Sequence, residues 1–192
     1  MAVMLDIIGA IVLVGMLIAT ITTINSTITL ESANSASEYY IQSQMKQLAW
    51  LFEWDLYKIG YNVTKPALLL AEVDRIRFKA DLWNAGSSDV LEYKLGDLAT
   101  VSQNPRDREL RRIENSSNIY INLSVTGFRL SYYNARDSLL TAPVTGSMLD
   151  SVRAVRIYLT LESPDPLQSL DPVDTTYTGA YYEKLIYPRN LQ

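Results

Sequence analysis

The chain has 192 residues, with 17 Lys and Arg against 21 Asp and Glu, and it contains neither cysteine nor histidine. Without a basic excess, nucleic acid is not an expected partner. Without Cys or His, a Ser-His-Asp or Cys-His catalytic set, a metal site built on those ligands and a disulfide framework are all excluded.

The chain begins MAVMLDIIGAIVLVGM, and after Asp6 no charged residue follows until Glu31. That run is longer than the roughly 20 apolar residues needed to cross a bilayer as a helix. It has no basic n-region, and its apolar segment is too long for a secretory h-region. The first Lys or Arg is Lys46, so the positive-inside rule has only the α-amine to act on. Either something else sets the topology, or a basic leader preceded this sequence and was removed.

An aspartate at the centre of a membrane helix costs about 2.5–3.5 kcal/mol, and less near an end. Asp6 therefore reads in two ways: as an interfacial acid at the mouth of an anchor, or as a carboxylate that needs a cationic partner. Gly9, Gly15 and Ala19 could let helices approach closely, although glycine is common in membrane spans anyway.

Thr20 to Leu30, TITTINSTITL, is crowded with β-branched residues, each of which costs a helix a few tenths of a kcal/mol relative to Ala. Ile21, Ile24 and Ile28 still keep helical spacing, which predicts a weak, locally meltable helix. From Glu31 the pattern strengthens. Ile41, Met45, Leu48, Phe52, Leu56 and Ile59 form one apolar face. A second stripe of Trp50, Trp54 and Tyr57 lies beside it and reads more as core than as partner surface. Gly60 is a natural stop, with Pro66 beyond. A helix continuous from Ala2 to Ile59 would be about 85 Å long.

After Pro66 the texture becomes that of strands. RIRFKADLW and DVLEYKLG flank NAGSSD, which reads as a hairpin with a Gly-containing loop. RELRRIE is a further short strand. In the cluster from Arg106 to Arg112 the arginines lie among Asp107, Glu109 and Glu114. That fits a solvated edge strand better than an anion site. NIYINLSVTGFRLSYYN holds one or two strands. SVRAVRIYLTLES alternates, with Arg153, Val155, Ile157, Leu159 and Leu161 on the buried side. SPDPLQSLDPVDTTYTG is a loop, and AYYEKLIYP is the last strand. Asp165, Asp171 and Asp174 share that loop and are oxygen ligands suited to Ca²⁺, but their spacing fits no EF-hand, so no metal is expected. Asn25, Asn62, Asn115 and Asn122 each open an N-x-S/T pattern. Glu53 and Asp55 sit on neighbouring helix positions that do not face each other, so they are not read as a catalytic pair.

Taken together, these motifs resemble the type IV pilin and pseudopilin superfamily. They are most similar to its larger minor members, the J-type pseudopilins of type II secretion and the W-type minor pilins. MKQLAWLFEWDLYKIGY resembles the second helix half, where a hydrophobic repeat leads to an Asp, a basic residue and a Gly. LEYKLG followed by ELRRIE resembles the paired strand with its Leu-Arg-Arg. VTGFRLSYYNA, SVRAVRIYLTL and the terminal PRNL follow in the family's order. The acid differs: the family usually has Glu at the fifth mature position, whereas here it is Asp6, which becomes fifth only if Met1 is removed.

The resemblance implies an α+β pilin fold, in which a long N-terminal helix with a membrane-spanning first half packs on a C-terminal antiparallel β-sheet domain. It divides the chain into a filament-core helix half (1–30), an amphipathic spine (31–60) and a sheet domain (61–192). It implies a structural subunit of a type IV pilus-like filament or secretion pseudopilus, with no enzyme activity and no cofactor. The subunit would sit in the inner membrane as a single span and then enter an extracellular or periplasmic helical filament with copies of itself or other pilin-like subunits, driven by an ATPase and an inner-membrane platform. Asp6 would pair with a neighbour's N-terminal amine on Met1, and Gly15 with the Thr-rich stretch would form the section that melts on packing. Two alternatives stay open: a minor tip or initiating subunit only, or a signal-anchored periplasmic binding domain that forms no filament.

Overall fold

The computed structural model describes residues 2–169 and 175–191. One helix, α1 (Ala2–Tyr57), runs unbroken for 56 residues, about 84 Å at ~1.5 Å per residue. Eight strands follow: β1 (Leu68–Ala71), β2 (Arg75–Ala80), β3 (Asp89–Leu98), β4 (Arg108–Glu114), β5 (Ser117–Tyr133), β6 (Leu139–Leu140), β7 (Ala154–Glu162) and β8 (Gly179–Ile186). They form a single sheet in the order β1-β2-β3-β4-β5-β7-β8, with β6 on β5 and every pair antiparallel. The fold is α+β, a long N-terminal helix packed on an antiparallel sheet.

The helical spacing that marks the spine also marks the core. Ile41, Met45, Leu48, Phe52, Leu56 and Ile59 are all buried, each contributing roughly 1.5–3 kcal/mol by leaving water. The Phe52 ring meets Tyr93 of β3 at 4.3 Å and Phe128 of β5 at 5.4 Å between centroids. On β7, Val155, Ile157, Leu159 and Leu161 face the same core and are fully buried. Arg153 precedes that strand. It is half-buried, and its guanidinium donates to the Asp150 and Val152 carbonyls.

Gly60 ends the helix by adopting φ +78°, a left-handed conformation that side chains resist. Its N–H then donates to the Lys79 carbonyl at 2.9 Å, tying the helix end to β2. A Cβ here would meet the Ala67 Cβ at 3.1 Å. At the other end of the domain, the Asn34 side chain clasps the loop after β7. Its amide donates to the Gln168 carbonyl at 3.0 Å, and its oxygen accepts the Gln168 N–H at 2.9 Å.

Two strand readings change and a third is resolved. LLLA of β1 has no period-2 alternation and gives no strand signal, yet Leu68 and Ala71 are buried. NIYINLSVTGFRLSYYN, read as one or two strands, falls almost wholly in the single 17-residue strand β5 (Ser117–Tyr133), which passes through a register shift at Val125/Gly127. Most importantly, β4 is not an edge strand: it lies between β3 and β5. A charge-rich strand can be interior here because its cations are paired: Arg112 with Asp55 and Glu114, and Arg111 with Glu109.

The first core residue is Ile41, so a chain beginning at Glu31 keeps every core contact and the Asn34 clasp. Such a chain should be a soluble, folded monomer. Circular dichroism and gel filtration check this, and an aggregated or unfolded product would refute the boundary.

Candidate assembly surface

The candidate site is a helix surface without partners among the described residues. Every described side chain from Val3 to Thr29 is exposed. An 18-residue window there reaches a mean hydropathy of 2.5 with none of it buried, so the helix is long and apolar enough to cross a membrane. Six hydroxyls in the β-branched stretch, Thr20, Thr22, Thr23, Ser26, Thr27 and Thr29, each donate to the carbonyl four residues earlier at 2.9–3.0 Å. These hydroxyls are thus satisfied within the helix while the segment stays exposed, which suits lipid or a neighbouring helix. No break in the helix occurs at these residues.

Asp6 lies near the start of this surface, about 50 Å up the helix from Ile41, and no described residue pairs with it. Gly9 and Gly15 face open space, with nothing within 4 Å of where a Cβ would sit. Ala19 is exposed. The structure therefore brings Asp6, Gly9, Gly15 and Ala19 onto one rod but into contact with nothing. Met1, Asp171 and Asp174 lie outside the described residues, as does the Asn122 side chain. Asp165 is described and exposed, and no cluster of three or more acids suited to a metal occurs among the described residues.

The Trp50, Trp54, Tyr57 stripe is not core. These side chains are 65%, 52% and 43% exposed. The spine offers one face to the sheet, and that face is already filled by the Ile41–Ile59 series. The second stripe points away, with Trp50 stacked on Trp54 at 5.8 Å and the Lys58 ammonium over the Trp54 ring at 4.8 Å.

Two polar contacts fix how the helix sits on its sheet. Asp55 is fully buried, beside the core stripe. The Arg112 Nε–H donates to its Oδ2 at 2.9 Å, and the Tyr93 hydroxyl donates to the same oxygen at 2.6 Å. Arg112 also donates to Glu114 at 2.7 Å. Burial alone would lower the Arg112 pKa, but the carboxylates of Asp55 and Glu114 outweigh it and hold it above the ordinary value. Burial, reinforced by Asp55, pushes the Tyr93 hydroxyl well up, so it stays a donor. On the far flank, Glu53 accepts from Lys184 at 2.5 Å and from the Tyr182 hydroxyl at 2.6 Å, tying the helix to β8. Partial burial works to raise the Glu53 pKa; these two donors overcome it and hold it below the ordinary value. Sequence spacing correctly separates Glu53 from Asp55 but does not show that each has a strand partner. The signal that could have found it is the acid at Asp55, a position whose helical neighbours Phe52, Leu56 and Ile59 are all apolar.

No family model matches the chain, and no curated protein matches it. Among solved structures it is similar to a type IV-like pilin from Thermus thermophilus. The two are 15% identical, the overlap covers 78% of this chain and 96% of that one, and the TM-score is 0.46.

Arg112→Met should leave the Asp55 carboxylate buried without its cation and cost about 3–5 kcal/mol. Asp55→Leu combined with Arg112→Met should recover most of that loss, as urea denaturation of the chain from Glu31 would register. Glu53 gives a pH signature. Its folded pKa lies below the unfolded value of about 4.3, so its contacts contribute stability above that value and lose it as pH falls through the folded pKa. The stability gap between wild type and Glu53→Gln should therefore shrink as pH falls below the unfolded carboxylate value of about 4.3, in urea melts run across that value.

Proposed function

We propose that this chain is a pilin-like structural subunit that is held in the inner membrane as a single span and then assembled into a helical filament through its N-terminal helix. One observation carries the reading. The 56-residue helix gives its second half to the domain and leaves its first half wholly exposed and apolar. A surface of that kind requires lipid or other helices around it. The role is structural, and the energy for extraction comes from an ATPase acting with a membrane platform. The strands that resemble J-type pseudopilins and W-type minor pilins favour a minor or initiating position over the main subunit of a long fibre.

In this reading Asp6 accepts the free N-terminal amine of a neighbouring subunit. The pair offsets the cost of holding each charge out of water and sets the axial register of one helix on the next. Gly9, Gly15 and Ala19 are points of close helix approach, and Gly15 with the Thr-rich stretch is the section that loosens on packing.

Asp6→Ala should leave membrane insertion and the domain unchanged but abolish or slow filament assembly, because it strands the neighbour's amine. Asp6→Glu should largely restore assembly, and Asp6→Asn should behave like Ala. The measurement is sheared surface filament beside membrane-fraction protein for each variant. Equal filament yield from Asp6→Ala and wild type would return Asp6 to a plain interfacial acid. A chain that stays monomeric and membrane-retained would favour an anchored binding domain.

A further inference from the structure

Trp54 and Tyr57 of the aromatic stripe form one side of an open cleft of about 550 Å³ at the end of α1, lined also by Lys58, Tyr61 and Arg189. Lipid does not cover it. Trp54 lies 24 residues past Leu30, about 36 Å down the helix, beyond the few ångströms of headgroup region flanking a bilayer core. Two cations line the cleft, Lys58 and Arg189. Lys58 is occupied by the Trp54 ring and the Leu82 carbonyl. Arg189 has no acidic partner among the described residues.

The same chain carries the complementary shape. The β1–β2 turn, Glu72-Val73-Asp74, lies beside Asp97-Leu98, since the Leu95 N–H donates to the Asp74 carbonyl at 3.0 Å. Val73 and Leu98 are 45% and 59% exposed. The apolar tip is thus rimmed by three carboxylates, none in an ion pair. The nearby cations are Arg75, bonded to Glu92; Arg108, opposite Leu98 and donating to the Gly96 carbonyl; Arg129, over the Tyr158 ring; and the exposed Lys94. The turn and the cleft belong to opposite ends of β2. The strand's last residues abut the end of α1 through Gly60 and Lys79, while its first residue adjoins the turn, about 17 Å away. A molecule cannot fill its own cleft.

We infer that the cationic aromatic cleft at the end of α1 receives the acidic β1–β2 turn of a second copy of this chain. The proposal rests on the filament reading and adds a domain-level contact to it. Because two different patches meet, the contact is heterologous and propagates as an open chain instead of closing as a dimer. Aromatic faces supply area, and the rim charges fix orientation.

The absence of cysteine makes the test clean. In the full-length chain, Tyr57→Cys with Val73→Cys, mildly oxidised in cells, should give a ladder of covalent multimers. Each single variant should remain monomeric. Arg189→Glu or Asp74→Arg added to the double-cysteine chain should reduce the ladder about tenfold. Adding both should restore it, a rescue that misfolding could not produce. Filaments without a ladder overturn this contact and leave the filament reading standing, whereas absence of both overturns the two together. Dimers from Val73→Cys alone would mean a symmetric contact and also overturn the proposal.

Discussion

The helix is far longer than the domain that holds it, and the architecture answers to that mismatch. Only residues from about Ile41 onward find a core, so the sheet needs to hold a rod by one end while the other end projects some 50 Å. Hydrophobic burial supplies most of the adhesion, but an apolar stripe alone would allow the helix to slide or roll on a smooth sheet. The buried contact of Asp55 with Arg112 and Tyr93 removes that freedom, because a carboxylate out of water tolerates little displacement from its donors. Glu53 with Lys184 and Tyr182 does the same on the opposite flank. The spine is thus pinned to an interior strand on one side and an edge strand on the other.

This arrangement also explains the charge pattern of the sheet. β4 carries Arg108, Arg111 and Arg112 in the middle of the sheet, where charged side chains are ordinarily costly. Each finds an acceptor: Arg112 on the helix, Arg111 on Glu109 and Arg108 on the Gly96 carbonyl. The acids that made the segment look solvated are the groups that allow it to be interior.

Much of the fold was legible because it depends on periodicity. The series Ile41, Met45, Leu48, Phe52, Leu56, Ile59 specifies a buried helix face, and the alternation from Val155 to Leu161 specifies a buried strand face. The hairpin around NAGSSD and the stop at Gly60 follow from local turn chemistry. What escaped depends on distance in sequence. Nothing local to RELRRIE tells that its third arginine, Arg112, meets Asp55, 57 residues earlier, so the segment reads as an edge strand. LLLA gives no alternation, and so no strand signal for β1. Trp50, Trp54 and Tyr57 keep helical spacing as well as the core stripe does. Periodicity cannot say which of two stripes faces the sheet; the acid at Asp55, on the side that receives Arg112, decides it. The assembly surface was legible for the opposite reason: an uncharged run from Ile7 to Leu30 needs no tertiary context to be recognised.

The Asn34 clasp gives this rod a mechanical character. The helix is held at Asn34 by the loop after β7 and again at Asp55 by the sheet, two points 21 residues and about 32 Å apart along one axis. A pull on the N-terminal half acts along the line joining them. The interface is then loaded in shear, with the core contacts between the two points sharing the force, instead of being peeled open one turn at a time. A sideways load meets the clasp first, and the clasp is only two exposed hydrogen bonds. The domain should therefore resist axial traction far better than bending, so that it can be drawn along its helix without unfolding while still yielding where the rod leaves the sheet.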